Sequence, residues 1–402
     1  MLPFLLLPIF TKYLAPDEYG LLSIYLLLIT IYTAFIGMAI STNISKNFFN
    51  VTKSEMSVYI GNMVIIVSLS FIFYLFLTFI CVYFIDELFS IQSNLFLLIP
   101  FISFMSIIIS INVTLLRNEL KVYSFAIYEI SNTFLGLVIT LFLLLYLNYN
   151  WLSQIWGTIV SSLVFSFVSI YHIHRRGYLK IKFDKLKIKS ILSISVPLIP
   201  HALGSVIIAM SDRLFIEKMI SLEMVGIYSV SYTFGIVIMI FTDAFIKAWT
   251  PWFFKNLSNV NDDKKTKIVK YTYLYIFGLF LLTIVISFIS ITFLPYFIDP
   301  RFYEAKDFIL WISLGYAVHG IYKIFFPYLV HLNKTSFLAI STVLAAMVNL
   351  LFNYIFIKNF GAIGAAYATI LSFLISALLV FWYQSKNFYM PWFLLKKNNE
   401  TT

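Results

Sequence analysis

Residues 58–84 contain no Asp, Glu, Lys, Arg or His, and apolar runs of similar length recur along almost the whole chain. About 20 apolar residues suffice to cross a hydrocarbon core of about 30 Å as a helix, and a backbone in lipid must satisfy its own hydrogen bonds. Only membrane helices or a closed barrel meet that condition. A barrel needs short alternating strands, whereas these runs are continuous and are separated by brief charged or Pro-, Gly- and Asn-containing joints. The sequence therefore reads as an all-α, polytopic membrane protein. Its composition agrees: 61% of the 402 residues are hydrophobic and 11% charged, with a mean hydropathy of +0.92.

Twelve spans are predicted, a short one at 1–14 and then 20–44, 58–84, 94–115, 122–147, 151–173, 191–217, 224–253, 269–297, 307–330, 335–357 and 361–385. The two largest joints, 175–190 and 254–268, are about 15 residues each, too short for a soluble domain. Of the 28 Lys and Arg residues, 20 fall in the even-numbered joints and the tail, five in the odd-numbered joints and three within spans. Cytoplasmic joints collect these residues, so both termini are expected in the cytoplasm. The net charge of +10 accordingly reads as topology, and no nucleic-acid partner is expected. The single cysteine, Cys81, lies in an apolar run, which rules out an intrachain disulfide and leaves nothing resembling a thiolate metal site. "MLPFLLLPIFTKYL" lacks a basic leader and a small-residue cleavage site, so no cleavable signal is expected.

An internal repeat organises the array. Shifting the chain by 206 residues lays Gly20 on Gly226, Lys12 on Lys218 and Ser23 on Ser229, with Leu14/Ile220, Asp17/Glu223, Leu21/Ile227 and Ile24/Val230 as conservative pairs. Each copy joins the first two spans of a six-span half, and the shift is about half the chain. Both copies predict a tight external turn into a helix: Pro16 suits a first turn with Asp17 and Glu18 complementing the dipole, and Ser221 can cap with Glu223 following. Gly157 and Gly364, near the start of the last span of each half, echo one another. The same shift puts the counterpart of the seventh span's start, near Ile191, about fifteen residues before Met1. The expectation is a truncated or wrongly started chain, with a naturally short span as the alternative.

Three stretches carry a family resemblance: "PLIPHALGSVIIAMSDRLFIEKMISLEMVGIYSV" (197–230), "NLLFNYIFIKNFGAIGAAYATILS" (349–372) and "PIFTKYLAPDEYGLLSIY" (8–25). They resemble oligosaccharide/polysaccharide flippases of the multidrug/oligosaccharidyl-lipid/polysaccharide exporter superfamily. The resemblance covers essentially the whole chain. It implies about twelve helices in two six-helix lobes around a central cleft: 1–173 as the N-terminal lobe with a short first helix, 174–190 as a basic cytoplasmic linker, 191–386 as the C-terminal lobe and 387–402 as a cytoplasmic tail. It further implies transfer of an undecaprenyl-diphosphate-linked oligosaccharide across the bacterial cytoplasmic membrane by alternating access. The implied partners are that lipid-linked substrate, membrane lipids and proteins of glycan assembly; no cofactor, metal or catalytic residue is implied.

Ionisable residues inside spans are costly unless they face a polar cavity or one another, which makes them the natural candidates for a transport site. Arg213 is a candidate for the cleft, where its fork suits a phosphate or sugar hydroxyl, with Asp212 held by a neighbouring helix; adjacent helical residues diverge by about 100°, so the two are not expected to face one way. Snorkelling or a structural ion pair are the alternatives for Arg213. Asp243 and Lys247, at i and i+4, are expected to pair within one helix, with a diphosphate contact as the sharper role for Lys247. Lys323 shares a face with His319 and is either a cleft residue or a snorkelling one. His319 and Glu129 are the coupling candidates, with a helix-to-helix hydrogen bond for His319 and a pair with Arg117 or Lys121 for Glu129 as the plainer readings. Pro197 and Pro200, beside His201, are candidates for a hinge or a simple kink. Asn349 and Asn353 share a face and are expected to bond across helices, while Gly361, Gly364, Ala365 and Ala366 permit close packing of the last span.

Three alternatives remain on the sequence alone. A drug or cation antiporter of the same superfamily would favour a cleft rich in acids, and the span charges are mixed. A membrane glycosyltransferase or polymerase would need a sizeable loop of catalytic groups, and the external joints are too short. An inactive scaffold of a glycan-assembly complex is a third alternative.

Overall fold

The structure is a computed structural model and describes residues 2–38, 40–84, 87–88, 90–257, 261–332 and 334–392. Its helices in chain order are α1 (Leu2–Tyr13), α2 (Pro16–Gly37), α3 (Ile40–Asn47), α4 (Lys53–Phe84), α5 (Ser93–Phe96), α6 (Leu98–Asn118), α7 (Val122–Tyr146), α8 (Leu152–Arg175), α9 (Lys185–Met210), α10 (Asp212–Met219), α11 (Leu222–Leu257), α12 (Asp262–Phe297), α13 (Lys306–His331), α14 (Thr335–Phe360) and α15 (Ile363–Asn387). A 3-10 turn, Pro300–Ala305, precedes α13. A two-stranded antiparallel ribbon, β1 (Glu87–Leu88) with β2 (Ile91–Gln92), links α4 to α5 and pairs Leu88 with Ile91.

Among the described residues, eleven helical segments are long and apolar enough to cross a membrane. They correspond to the predicted spans from the second onward. The 12 residues of α1 rise only about 18 Å. Two predicted spans are not continuous: Met38, in the left-handed region at φ 43°, separates α2 from α3, and Ser211 separates α9 from α10. Large apolar side chains stand exposed along the spans, Phe134 at 63% and Phe288 at 71% among them. In water such a surface would drive association; in a bilayer, lipid tails solvate it.

Polar residues in the joints decide where helices begin. Thr52 and Glu55 form a reciprocal cap on α4, with Thr52 N donating to Glu55 Oε2 at 2.9 Å and Glu55 N to Thr52 Oγ1 at 3.3 Å. Asp184 accepts from the amides of Leu186 and Lys187 at the start of α9, and Asn261 accepts from Lys264 N at the start of α12. The two repeated turns divide this chemistry between them. Glu18 Oε2 accepts from Ala15 N at 2.9 Å before α2, whereas Ser221 Oγ accepts from Met224 N at 3.1 Å before α11. Gly361 ends α14 at φ +70°, a conformation that a side chain would strain.

The chain forms two compact units. Tyr13–Val206 make one unit, and Met1–Lys12 group with the chain from Ile207 onward. Residues 174–190, expected as a linker between lobes, lie within the first of these. There Asn62 of α4 clamps the segment, its Nδ2 donating to Lys182 O at 2.8 Å and its Oδ1 accepting from Asp184 N at 3.0 Å. A Cβ on Gly61 would overlap the Lys180 carbonyl, so the glycine lets the segment lie flat on α4. The core of this unit runs through Ile36, Ile60, Met63, Ile111 and Ile191.

In the other unit α1 is tied down by its end. Arg301 Nη2 donates to the carbonyls of Thr11 and Lys12, each at 3.0 Å, and Phe4 stacks on Phe297 at 5.1 Å. The core of this unit centres on Phe253, Tyr328, Phe325 and Trp392. Trp392 belongs to the expected tail 387–402, yet its carbonyl accepts from Tyr273 Oη at 2.5 Å. Residues 393–402 of that tail, with Lys396 and Lys397, lie outside the described residues.

The glycine echo has one physical meaning in both units. A Cβ on Gly157 would overlap Thr140 Oγ1 and approach Gly136 O of α7, and a Cβ on Gly364 would overlap the Phe356 carbonyl of α14. Each glycine lets the last helix of its half approach the preceding one at backbone distance.

Candidate functional site

The break at Ser211 gathers a set of buried polar groups in the second unit. A helix interruption releases backbone groups from the ladder, and in a membrane those groups need side-chain partners. Arg213 Nη1 donates back to Ala209 O at 3.3 Å. Ser211 Oγ donates to Asn349 Oδ1 at 2.9 Å, and Asn353 Nδ2 donates to Asn349 Oδ1 at 3.0 Å and to Ser211 Oγ at 3.3 Å. The two asparagines of α14 thus bond across to the break, as their shared face predicts.

Asp212 and Arg213 are 1% and 6% exposed, and both sit inside this cluster. The expectation that adjacent residues diverge is corrected here. Asp212 Oδ1 accepts from Arg213 Nη1 at 3.3 Å and from Arg213 N at 2.9 Å, because the long guanidinium arm folds back along the helix start. Asp212 Oδ2 accepts from Tyr232 Oη of α11 at 2.7 Å, and the Arg213 guanidinium lies 4.4 Å from the centre of the same ring. Tyr232 therefore serves both charges, the acid through its hydroxyl and the base through its face. Tyr228 and Tyr316 close around it, with ring centres 5.3 and 6.0 Å away. The outcome is a neutral pair whose cation has a planar fork suited to phosphate and whose anion keeps a second donor if that fork turns elsewhere.

A second pair departs from the sequence reading. Asp243 meets Lys323 of α13, Nζ to Oδ1 at 2.5 Å, and not Lys247. The i, i+4 spacing puts Lys247 on the right face, but Lys323 reaches the carboxylate from a neighbouring helix, and Lys247 stands exposed. Lys323 and Asp243 are 22% and 43% exposed, so this pair is the more accessible of the two. One turn from Lys323, His319 lies flat between aromatic rings, 4.4 Å from Phe373 and 5.9 Å from Tyr322.

Glu129 is half-buried on α7 and makes no ion pair among the described residues. Its proposed partners are otherwise engaged: Lys121 pairs with Glu119 at 2.8 Å, and Arg117 lies over the Phe125 ring at 6.0 Å. Pro197 and Pro200 both fall within α9, whose helical run is unbroken from Lys185 to Met210. An interruption of the helical run comes at Ser211, and the side chains of Pro197 and His201 lie outside the described residues.

One cluster in the first unit was not singled out by the sequence. Arg176 donates to Glu119 Oε2 at 3.0 Å, to Asn112 Oδ1 and to His172 O. Burial pushes the Glu119 carboxyl up, but the hydrogen bond from Lys121, the Arg176 charge and the Tyr178 hydroxyl outweigh it and hold the group below its ordinary range. Burial and the same carboxylate raise the Tyr178 phenol to about 12. Within a run of seven basic residues, only the intramembrane Asn112 hinted that one of them turns inward.

Comparison with known proteins places this arrangement in a family. The chain is 24% identical over 357 residues to a protein of the Lsg locus of Haemophilus influenzae, covering 87% of this chain and 85% of that one. Its fold is similar to an inward-facing multidrug resistance MATE family transporter of the MOP superfamily, with TM-score 0.71, 14% identity and coverage of 94% and 92%. It is equally similar to the lipid II flippase MurJ in an inward closed conformation, with TM-score 0.71, 16% identity and coverage of 94% and 83%. Residues 1–257 match the family described as polysaccharide biosynthesis protein. The chain is thus a multi-pass membrane protein with a transporter fold, and it belongs to the polysaccharide biosynthesis protein family.

Proposed function

We propose that this protein is a flippase that carries an undecaprenyl-diphosphate-linked oligosaccharide across the bacterial cytoplasmic membrane for cell-surface polysaccharide synthesis, with both termini cytoplasmic and no covalent chemistry of its own. The observation that carries the reading is the joining of a polysaccharide biosynthesis family to a fold shared with a lipid II flippase. The site chemistry supports it. A sugar diphosphate needs cations that can leave their resting partners, and Arg213 and Lys323 each rest on a carboxylate. In the proposed cycle the diphosphate displaces Asp212 from Arg213, while Tyr232 continues to hold the released carboxylate.

The MATE fold supports a second reading, export of an amphipathic cation. That cargo needs an unpaired acid, and Asp212 and Asp243 are both neutralised, leaving Glu129 as the acid that would serve. Expression in a strain lacking its own flippase tests the choice. Restored surface glycan supports the proposal; drug resistance without restored glycan supports the second reading and removes the first.

A further inference from the structure

A groove of about 610 Å³ runs between α11 and α12, in the half of each helix nearer their connecting joint. Its walls are apolar and largely aromatic: Phe241, Phe245, Trp249 and Trp252 on one side, Tyr271 and Tyr275 on the other. Phe245 stacks on Tyr275 at 4.2 Å and Trp252 contacts Tyr271 at 5.4 Å, so the two helices meet through these rings and the groove lies over the stacked pairs. Behind them α13 seals the floor. Tyr275 Oη donates to Gly320 O at 3.4 Å, and a Cβ on Gly320 would lie 2.8 Å from Leu279.

Gly278 lines the same groove, and its role is different. A Cβ there would meet nothing within 4 Å. Glycine weakens a helix, and Gly61, Gly157 and Gly364 each sit where a Cβ would meet neighbouring backbone or side chain, whereas no neighbour requires glycine at 278. The missing side chain keeps a notch open on the wall. At the groove's end the chemistry changes sign: Lys267 is exposed and its Nζ sits 5.8 Å from the centre of the Tyr271 ring, with Lys255 and Lys270 exposed nearby. Lys265 is occupied by Asp262 at 3.8 Å.

From the notch, the aromatic walls and the lysine mouth, we infer that this groove seats the isoprenoid chain of an anionic polyprenyl lipid, with Lys267 at its diphosphate. The inference rests on the flippase reading for its substrate class. A branched, unsaturated chain matches aromatic walls, and the lysine distribution puts the mouth on the cytoplasmic side, where the loaded carrier is made available in that reading. An ordinary phospholipid is the competing occupant, since any apolar surface in a bilayer is covered by lipid.

Native mass spectrometry of the full-length protein tests this, with three probes: a long-chain polyprenyl diphosphate, the matching polyprenol and phosphatidylglycerol. The polyprenyl diphosphate is expected to be retained about tenfold over phosphatidylglycerol, and Gly278→Leu to remove about tenfold of that retention. Gly278→Leu adds a side chain where space is open and favours the helix, so its thermal midpoint is expected to stay at or above that of the parent. Lys267→Gln is expected to bring the diphosphate and the polyprenol together. Equal retention of phosphatidylglycerol, or undiminished binding by Gly278→Leu, overturns the groove assignment. Those outcomes leave the flippase reading intact if surface glycan is still restored, whereas binding without restored glycan retires the flippase reading and keeps the groove.

Discussion

Lys323 of α13 meets Asp243 of α11 at 2.5 Å, while Lys247, one turn along from Asp243 on its own helix, stands apart. Both lysines carry the same charge, so the tertiary approach of two helices decides between them. Because the pair is partly exposed, its contribution is modest, on the order of 1 kcal/mol or less. A double-mutant cycle of Asp243→Asn with Lys323→Gln, read by thermal unfolding in detergent, is expected to show coupling of that size. The same cycle with Lys247→Gln is expected to show none.

The Asp212–Arg213 pair is buried, and the consequence of breaking it is larger. Arg213→Ala leaves a carboxylate without its counter-ion, a loss of about 3 to 5 kcal/mol. The double change Asp212→Asn/Arg213→Gln removes both charges and is expected to unfold later than either single variant. A double variant that is the least stable of the three would show that the pair is not the dominant interaction at the break.

Much of this arrangement is readable before any coordinates. The apolar runs give the spans, and the shared face of Asn349 and Asn353 announces their bond across helices, but Thr52, Asp184 and Asn261 cap helices that begin several residues before the apolar runs do. The break at Ser211 is not readable, because no proline or glycine marks it and its stability comes from α14. Asp243's partner is equally hidden, since i+4 spacing offers a local answer and the true one is 80 residues away in sequence. The clamp on residues 180–184 depends on Gly61 and Asn62, which in the sequence are only two small interruptions of an apolar run.

Those small interruptions can be tested through the echoed glycines. Gly157→Leu and Gly364→Leu each force a side chain into the backbone of the preceding helix, and strain of this kind costs about 1 to 3 kcal/mol or more. Both variants are expected to lower the thermal midpoint in detergent, whereas Gly278→Leu, in open space, is not.

Glu119 gives a pH signature outside the spans. Its carboxyl is held below its ordinary range in the folded protein, so its stabilising contribution is present above the unfolded carboxylate range and is lost as pH falls through the lowered folded value. Thermal midpoints of the parent protein and of Glu119→Gln are expected to differ at neutral pH and to converge on acidification below about 4. A constant difference across that window would contradict the Arg176–Glu119–Lys121 arrangement as its source.

The central claim is that the protein moves a lipid-linked glycan by exchanging the partner of Arg213. The most direct measurement uses vesicles containing the purified protein and a fluorescent polyprenyl-diphosphate oligosaccharide, with a membrane-impermeant quencher added outside. The predicted result is that the parent protein exposes label initially in the inner leaflet, while Arg213→Lys, charged but lacking the fork, inserts equally and exposes far less. Parent vesicles that quench no further than protein-free ones, or an Arg213→Lys variant that matches the parent, would contradict it.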